Sequence, residues 1–568
     1  MAGYNHDQTI NAALAALAQG DLSAAYISGL KATQKRADDA EGWSVLGLVL
    51  ARQGEVHQAK SALNKAIEME PHEPRWHLHL GSMLHELNDF VAAEGVLRNA
   101  VERSNGHVSA MLPWAQTLMS LGRAGDAAQV YGRVLQTAPS PDVWIKAGDA
   151  LLASQDSVNA VYAYEQAFSD RDRPDTLTSA IADLHIMLGQ YSQAENYNNQ
   201  LRSKKPNDPE TGLRAANLLR WKGDLTGARD LQKALWGENK SHAGLTAAML
   251  EEGETGVLLS AKTILDDETN SLNNKRRVAF ALTSYHDKIG DDAAAWTYAE
   301  LANSLYNDVD VSEGNSSMDV EALRELLSKA IIAYHLIPDG DVSPVQMVYQ
   351  IGAPRSGGSL LQTILSRHEG VKSVGERGAL MGWLPQLLDD PEKLAKMIEQ
   401  LATADKAGME KSRGNAAIYI DKTPHYVVLA GLLAKVHGGS KFIHSYRSRE
   451  DMAVSLYFHE FGREFPFARN LNDIKAYLIF HEEAVAAWRE AGVDIIDHDH
   501  DAFVADTKKR LEGLCAALSM TYTDSLLERS ENDEVVRTFS ARQVRGDITS
   551  AYKGRGMRYK AKLDAVGF

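Results

Sequence analysis

The 568-residue chain has one cysteine, Cys515, so it can form no disulfide within itself, and neither a thiolate zinc cluster nor a secreted disulfide scaffold is open to it. It is also short of basic residues: 60 Lys and Arg against 76 Asp and Glu give a formal charge of -16. That charge would repel a phosphate backbone, which argues against nucleic acid as a partner. Long apolar runs are missing too. The most conspicuous one, Tyr426 to Ala434, stops at Lys435, and the opening "MAGYNHDQTI" lacks a basic segment followed by an apolar core. A soluble, cytoplasmic protein in a reducing compartment, without a membrane span, is expected. No histidine pair has the H-E-x-x-H spacing, so no metal site is expected. The length exceeds the roughly 250 to 300 residues at which a single core splits, so two or three domains are expected.

What is present begins with a repeat. From Trp43, apolar or small residues fall at Leu46, Gly47, Leu50, Ala59, Leu63 and Ala66, and Pro71 closes the unit. A step of 34 residues reproduces the set at His77, Leu80, Gly81, Leu84, Ala93, Leu97 and Ala100, and a second step at Met111, Ala115, Leu118, Ala127, Tyr131 and Val134. After a slip of one residue come Trp144, Ala147, Gly148, Leu151, Ala160, Tyr164 and Ala167. Further units start near Thr178 and Gly212, with a weaker one near Thr9 and a degenerate one through Ala281, Leu282, Tyr285, Ala294, Tyr298 and Leu301. These offsets match the tetratricopeptide pattern. Two helices cross closely in each unit, so the Gly and Ala positions must be small while larger apolar residues fill the groove. About seven units stacked in this way form an all-α superhelix, whose concave face implies a protein or peptide partner.

A different pattern starts after the breaker-rich "PDGDVSP". Gln346–Ile351 reads as a buried strand, "GAPRSGGS" as a glycine turn, and Ser359–Arg367 as a helix. Backbone N–H groups at such a turn converge on an anion, aided by the helix dipole. The outline is that of the nucleotide loop G-x-x-x-x-G-K-[ST], but Gly358 stands in the lysine's place. Losing that lysine ordinarily disables a nucleoside-triphosphate loop, and Arg355 supplies a cation inside the turn instead. Two more segments read as strands ending in charge. "AAIYIDKTPHYV" ends on Asp421 and Lys422, and "KFIHSYRSRED" ends on Arg447 before a helix that carries Ser455.

The loop, with Gly352, Pro354, Arg355, Ser356 and Gly357, resembles the phosphosulfate-binding loop of the sulfotransferases, G-x-P-R-S-G-T-T, and departs from it at Gly358 and Ser359. Arg447 and Ser455 stand at the spacing of that family's 3'-phosphate segment, and "DKTP" resembles the D-K-x-P element of repeat-bearing and tyrosylprotein-type members. Gly375-Glu376 resembles their G-E step. Gln543-Val544-Arg545 with Ser550 to Arg555 resembles their closing segment, without its usual final tryptophan. The resemblance implies an α/β domain with a P-loop-like parallel sheet and 3'-phosphoadenosine 5'-phosphosulfate (PAPS) as donor substrate, with no metal. It implies Glu376 as general base, Arg355 and Lys422 as cations at the reacting group, and donor contacts from Gly352, Pro354, Arg355, Ser356, Gly357, Gly358, Ser359, Leu360, Arg447, Ser455, Ser550, Lys553 and Arg555.

The expected layout is a repeat array over 1–240, a helical continuation over 241–337 with a degenerate repeat, a linker over 338–345 and the sulfotransferase domain over 346–568. The transferase is expected to hold its donor without the array. The acceptor is a hydroxyl, expected on a protein held by the array, with tyrosine one candidate and carbohydrate or a small molecule the others. Two rival readings stand: a P-loop kinase or nucleotide hydrolase, opposed by the missing lysine, and a repeat scaffold whose second domain has lost its chemistry, which the Gly358-Ser359 departure keeps open.

Overall fold

The computed structural model describes residues 5–154, 156–168, 172–306, 320–339, 346–375, 416–461, 465–528 and 553–568, together with 390, 393, 394, 396 and 397. The chain divides into two compact units, Met1–Tyr197 and Asn198–Phe568.

In the first unit the helices pair in the expected order: His6–Ala18 with Leu22–Lys35, Ala40–Arg52 with Val56–Met69, and Pro74–Glu86 with Phe90–Arg103. Val108–Ser120 with Ala124–Thr137 and Pro141–Ala153 with Ser157–Ala167 continue the series. Aspartates start several of these helices. Asp21, Asp39, Asp89 and Asp156 each accept an N–H from the third helical residue, a cap worth about 1 kcal/mol. The periodic positions are the buried ones, Ala59, Leu63, Ala93, Leu97, Ala127, Tyr131, Ala160 and Tyr164 among them. The period also explains its glycines: a Cβ at Gly47 would stand 2.6 Å from Leu63, and one at Gly81 2.5 Å from Leu97. Only a bare backbone lets the two helices of a unit cross that closely.

The second unit opens with further helix pairs, Pro209–Trp221 with Leu225–Glu238 and Leu272–Ile289 with Asp292–Ser304, and continues through Val320–Leu336. Five strands follow: β1 (Gln346–Gln350), β2 (Val371–Gly375), β3 (Ile418–Asp421), β4 (Lys441–Tyr446) and β5 (Ile495–Asp499). They form one parallel sheet in the order β2-β3-β1-β4-β5. Both faces are covered, which is why the middle of β1, Met347 to Tyr349, is apolar at successive positions. Met347 and Tyr349 enter one core with Phe442, Trp488 and Leu433, while Val348 enters the other with Ile420, Ile443, Leu361 and Phe503. No helix among the described residues is long and apolar enough to cross a membrane.

The degenerate repeat departs from its expected register. Ala281, Leu282 and Tyr285 are buried, but the second helix buries Ala295, Trp296, Ala299 and Ala302, and Leu301 is exposed. Its partner explains the shift. Trp296 packs against Tyr457, Phe458 and Tyr559, and the core that holds Tyr349 and Trp488 runs on into Ala295, Trp296, Leu323 and Leu327. The C-terminal segment fastens the same junction. Arg555 pairs with Asp287 at 2.7 Å, Tyr559 Oη donates to the same carboxylate at 2.7 Å, and Arg558 reaches Asp287 and Asp292. Burial and the Asp287 carboxylate push the Tyr559 phenol well above its ordinary pKa. The helical continuation thus shares a core with the sheet.

Candidate functional site

β1 lies inside the sheet, and the chain leaves its C-terminal end through the turn 351–357 before helix Gly358–Leu365. Ligands of open parallel sheets bind at this edge, outside the carboxyl ends of the strands. Two residues of the turn have left-handed backbone, Arg355 (φ 72) and Gly357 (φ 91), so consecutive N–H groups turn toward one side. Gly352 has no room for a side chain, because a Cβ there would lie 2.5 Å from the Ser445 carbonyl oxygen of β4. Gly357 is equally constrained, since its missing Cβ would overlap the His500 ring just past β5. Gln350, the last residue of β1, braces the turn by donating from Nε2 to the Gly358 carbonyl at 3.0 Å and to Ser445 Oγ at 3.0 Å.

Two neighbouring strand ends, those of β3 and β4, bring charge to this turn. Lys422, past β3, is buried, and its Cδ lies 3.5 Å from where a Gly358 Cβ would be. An aliphatic stem from another strand therefore passes the position where the nucleotide loop carries its own lysine. Asp421 beside it is buried and accepts from Thr423 Oγ1 at 2.7 Å. From β4 comes helix Arg449–Tyr457, capped by Ser448 and carrying Ser455. Ser455 is buried, and its Oγ accepts from Arg355 Nε at 2.8 Å, so two segments 100 residues apart meet at one guanidinium. Arg447 donates to Asp451 at 2.6 Å and faces Asp501 at 3.4 Å. Asp451 is buried and also accepts the N–H groups of Gly554 (2.8 Å) and Gly556 (2.6 Å), which ties the C-terminal segment to the same helix.

Burial keeps His481, His498 and His500 neutral, and the His500 ring lies against Gly357 of the turn. Burial and the Arg447 guanidinium push His500 down to about 4, and burial with the neighbouring His500 pushes His498 to about 3. Burial also holds His481 at about 3. His425 stacks on Phe465 with ring centres 5.0 Å apart, and His444 bonds to Asp497 at 3.3 Å.

Of the residues expected at the site, Gly352, Pro354 to Leu360, Lys422, Arg447 and Ser455 lie at the ends of β1, β3 and β4, with Arg355 bonded to Ser455 and Lys422 beside Gly358. Arg555 is taken up by Asp287 and stacks over Phe458 at 5.2 Å, and Lys553 is exposed. Glu376, Ser550 and the segment Gln543 to Arg545 lie outside the described residues. Sequence reasoning passed over Gln350, Ser445, Asp451 and His500. Gln350 alone left a signal, a polar residue closing an apolar strand before a glycine turn.

Residues 348–524 match the Sulfotransferase family, and residues 44–108 and 112–175 match the Tetratricopeptide repeat. An uncharacterized protein of Aquifex aeolicus is 22% identical over 435 residues, which is 69% of this chain and 56% of that protein. Cellulose synthase operon protein C of Xanthomonas axonopodis pv. citri is 27% identical over 190 residues, 31% of this chain and 12% of that protein. The chain thus spans about half the length of one relative and about an eighth of the other. Among solved structures, PilF of Pseudomonas aeruginosa is 19% identical, with 36% of this chain and 94% of that one covered at a TM-score of 0.29. PilW, a type IV pilus biogenesis factor, is 17% identical, with 36% of this chain and 96% of that one covered at a TM-score of 0.30. The chain carries a sulfotransferase-family domain behind tetratricopeptide repeats.

Proposed function

We propose that the protein transfers a sulfuryl group from PAPS to an acceptor hydroxyl, with the repeats presenting a protein acceptor. The observation that carries this reading is the meeting of the glycine turn with the β4 segment: Arg355 and Ser455 are bonded at 2.8 Å, which sets the two segments side by side, within reach of one donor. The donor's 5' phosphosulfate sits on backbone N–H groups of the turn after Pro354 and on the Arg355 guanidinium, and its 3' phosphate on Arg447, which Asp451 orients. Arginine suits both places, because its planar fork gives charge-assisted bonds to phosphate and sulfate oxygens.

In the reaction the acceptor oxygen forms a bond to sulfur as the bond from sulfur to the bridging phosphate oxygen breaks. Glu376 takes the acceptor proton, and adenosine 3',5'-bisphosphate leaves. Charge grows on the bridging oxygen, where the Lys422 ammonium meets it. The lysine absent from Gly358 is replaced in this reading by one that arrives from β3. A protein acceptor draws support from the repeats, since tethering raises the effective concentration of a presented side chain to about millimolar. Tyrosine fits a transfer assisted by a carboxylate base. The cytoplasm fits a chain with the single cysteine Cys515.

The test is incubation of the full chain with 35S-labelled PAPS in an extract of the source cells. Label on a macromolecule, lost with Glu376→Gln by about 100-fold to 10,000-fold, is the expected result. Turnover within a few-fold of wild type in that variant would remove Glu376 as the base, and no label on any species would remove the transfer.

A further inference from the structure

Ser455 is not the only group on Arg355. Helix Arg449–Tyr457 ends two residues before His459, whose ring folds back so that Nδ1 lies 2.7 Å from the Ser455 carbonyl oxygen. A carbonyl only accepts, so Nδ1 carries the proton and caps one of the helix's orphan carbonyls. The other ring nitrogen is then a lone-pair acceptor, and it lies 3.3 Å from Arg355 Nη2. A guanidinium only donates, so the two contacts together require one state of the ring, the neutral Nδ1–H tautomer. The surroundings enforce it: burial, Arg355 and Arg555 hold the ring's pKa well below the histidine range. Ser455 and His459 stand four residues apart, and they grip Arg355 at Nε and at Nη2.

We infer that His459 is a positioning residue for donor binding, which fixes the guanidinium plane of Arg355 through Nε2 while its Nδ1–H locks the ring to the helix. The inference rests on the donor reading above. It has a physical motive. Arg355 leaves a backbone of φ 72, a region that side-chain-bearing residues rarely adopt, and a long side chain starting there needs restraint to keep one direction. Ser455 alone holds one edge and leaves the plane free to swing about that bond. A second acceptor at Nη2 removes the freedom, so affinity gained from a preoriented guanidinium depends on His459 without any contact between the ring and the donor.

The test joins a thermodynamic cycle to a spectroscopic one, both on the full chain. His459→Phe keeps a ring of similar size and loses the acceptor, and His459→Gln restores an acceptor. Adenosine 3',5'-bisphosphate, titrated by calorimetry, should bind about tenfold more weakly to His459→Phe. His459→Gln should recover most of that loss. In an Arg355→Ala background His459→Phe should add nothing, because the two residues act as one unit. Equal losses from His459→Phe in both backgrounds, or no rescue by glutamine, would overturn the inference. Selective 15N-histidine labelling reads the contact with no nucleotide present: His459 should appear as the Nδ1–H tautomer, with its Nε2 resonance moving on Arg355→Ala. An unmoved resonance overturns the link even where the bisphosphate binds. A moved resonance with no bisphosphate binding by wild type upholds the contact and sinks the donor reading instead.

Discussion

The repeat pairs and the parallel sheet use glycine for opposite purposes. In the repeats, Gly47 and Gly81 are bare so that a neighbouring leucine can approach an ordinary helix. At the end of β1, Gly357 is bare because its backbone has φ 91 and because His500 fills the space beside it. The first kind follows the repeat, 34 residues from Gly47 to Gly81 with Ala115 at the next step, and carries no chemistry. The second belongs to the turn after β1 and follows no period. A repeat distributes its constraints, so each is small and visible as a period. A site at strand ends concentrates them, and each depends on residues far away in sequence.

The largest effect is expected from cutting the chain. A fragment starting near residue 341 loses Asp287, Trp296 and Leu327, and so leaves Arg555 without the partner that holds it and opens one face of the sheet's core. Breaking a buried pair costs about 3 to 5 kcal/mol before any apolar loss, so this fragment should be insoluble or unfolded. A fragment starting at Asn198 keeps the whole second unit and should give a cooperative melt. A folded, monomeric fragment from 341 would show that the continuation helices are no part of the core.

A paired substitution sharpens the same contrast. Gly357→Ala should abolish measurable binding of adenosine 3',5'-bisphosphate, since both the left-handed backbone and His500 oppose a methyl group. Gly81→Ala should cost stability by overpacking, about 1 to 3 kcal/mol, and leave nucleotide affinity unchanged. Calorimetry and thermal melts on both variants decide it.

The smallest expected effect is pH dependence. His481 and His498 at about 3 and His500 at about 4 stay neutral in the folded chain, while the unfolded chain protonates them near the ordinary histidine value. Between that value and about 4 the unfolded state binds more protons, so stability is full above it and falls as pH is lowered. The melting temperature should drop from pH 7 to pH 5, and His481→Phe should flatten the slope. An unchanged slope would mean that His481 does not carry the effect.

These differences also govern what could be read from the chain alone. Helix pairs were legible because Ala59, Leu63, Ala93 and Leu97 are set by a period and buried by near neighbours. β1 and its turn were legible because an apolar run that breaks into closely spaced glycines suits a buried strand leading into a tight turn and little else. The shifted face of helix Asp292–Ser304 was not, since Trp296 is buried by Tyr457 and Tyr559, residues that no local pattern connects to it. Nor were Asp451 and His459, whose roles depend on Gly554, Gly556 and Arg355 arriving from elsewhere. The Arg555–Asp287 pair was equally hidden, since the two residues are brought together only by the fold.

The central claim is that the turn after β1 and the segment after β4 form one site for a nucleotide with phosphates at both ends of its ribose. The most direct measurement is calorimetric titration of the full chain, without magnesium, with adenosine 3',5'-bisphosphate and with adenosine 5'-monophosphate. The account predicts that the bisphosphate binds more tightly by about 1.5 to 3 kcal/mol, the worth of a charged phosphate contact, and that Arg447→Ala erases the difference. Equal affinity for the two nucleotides in the wild-type chain would contradict it.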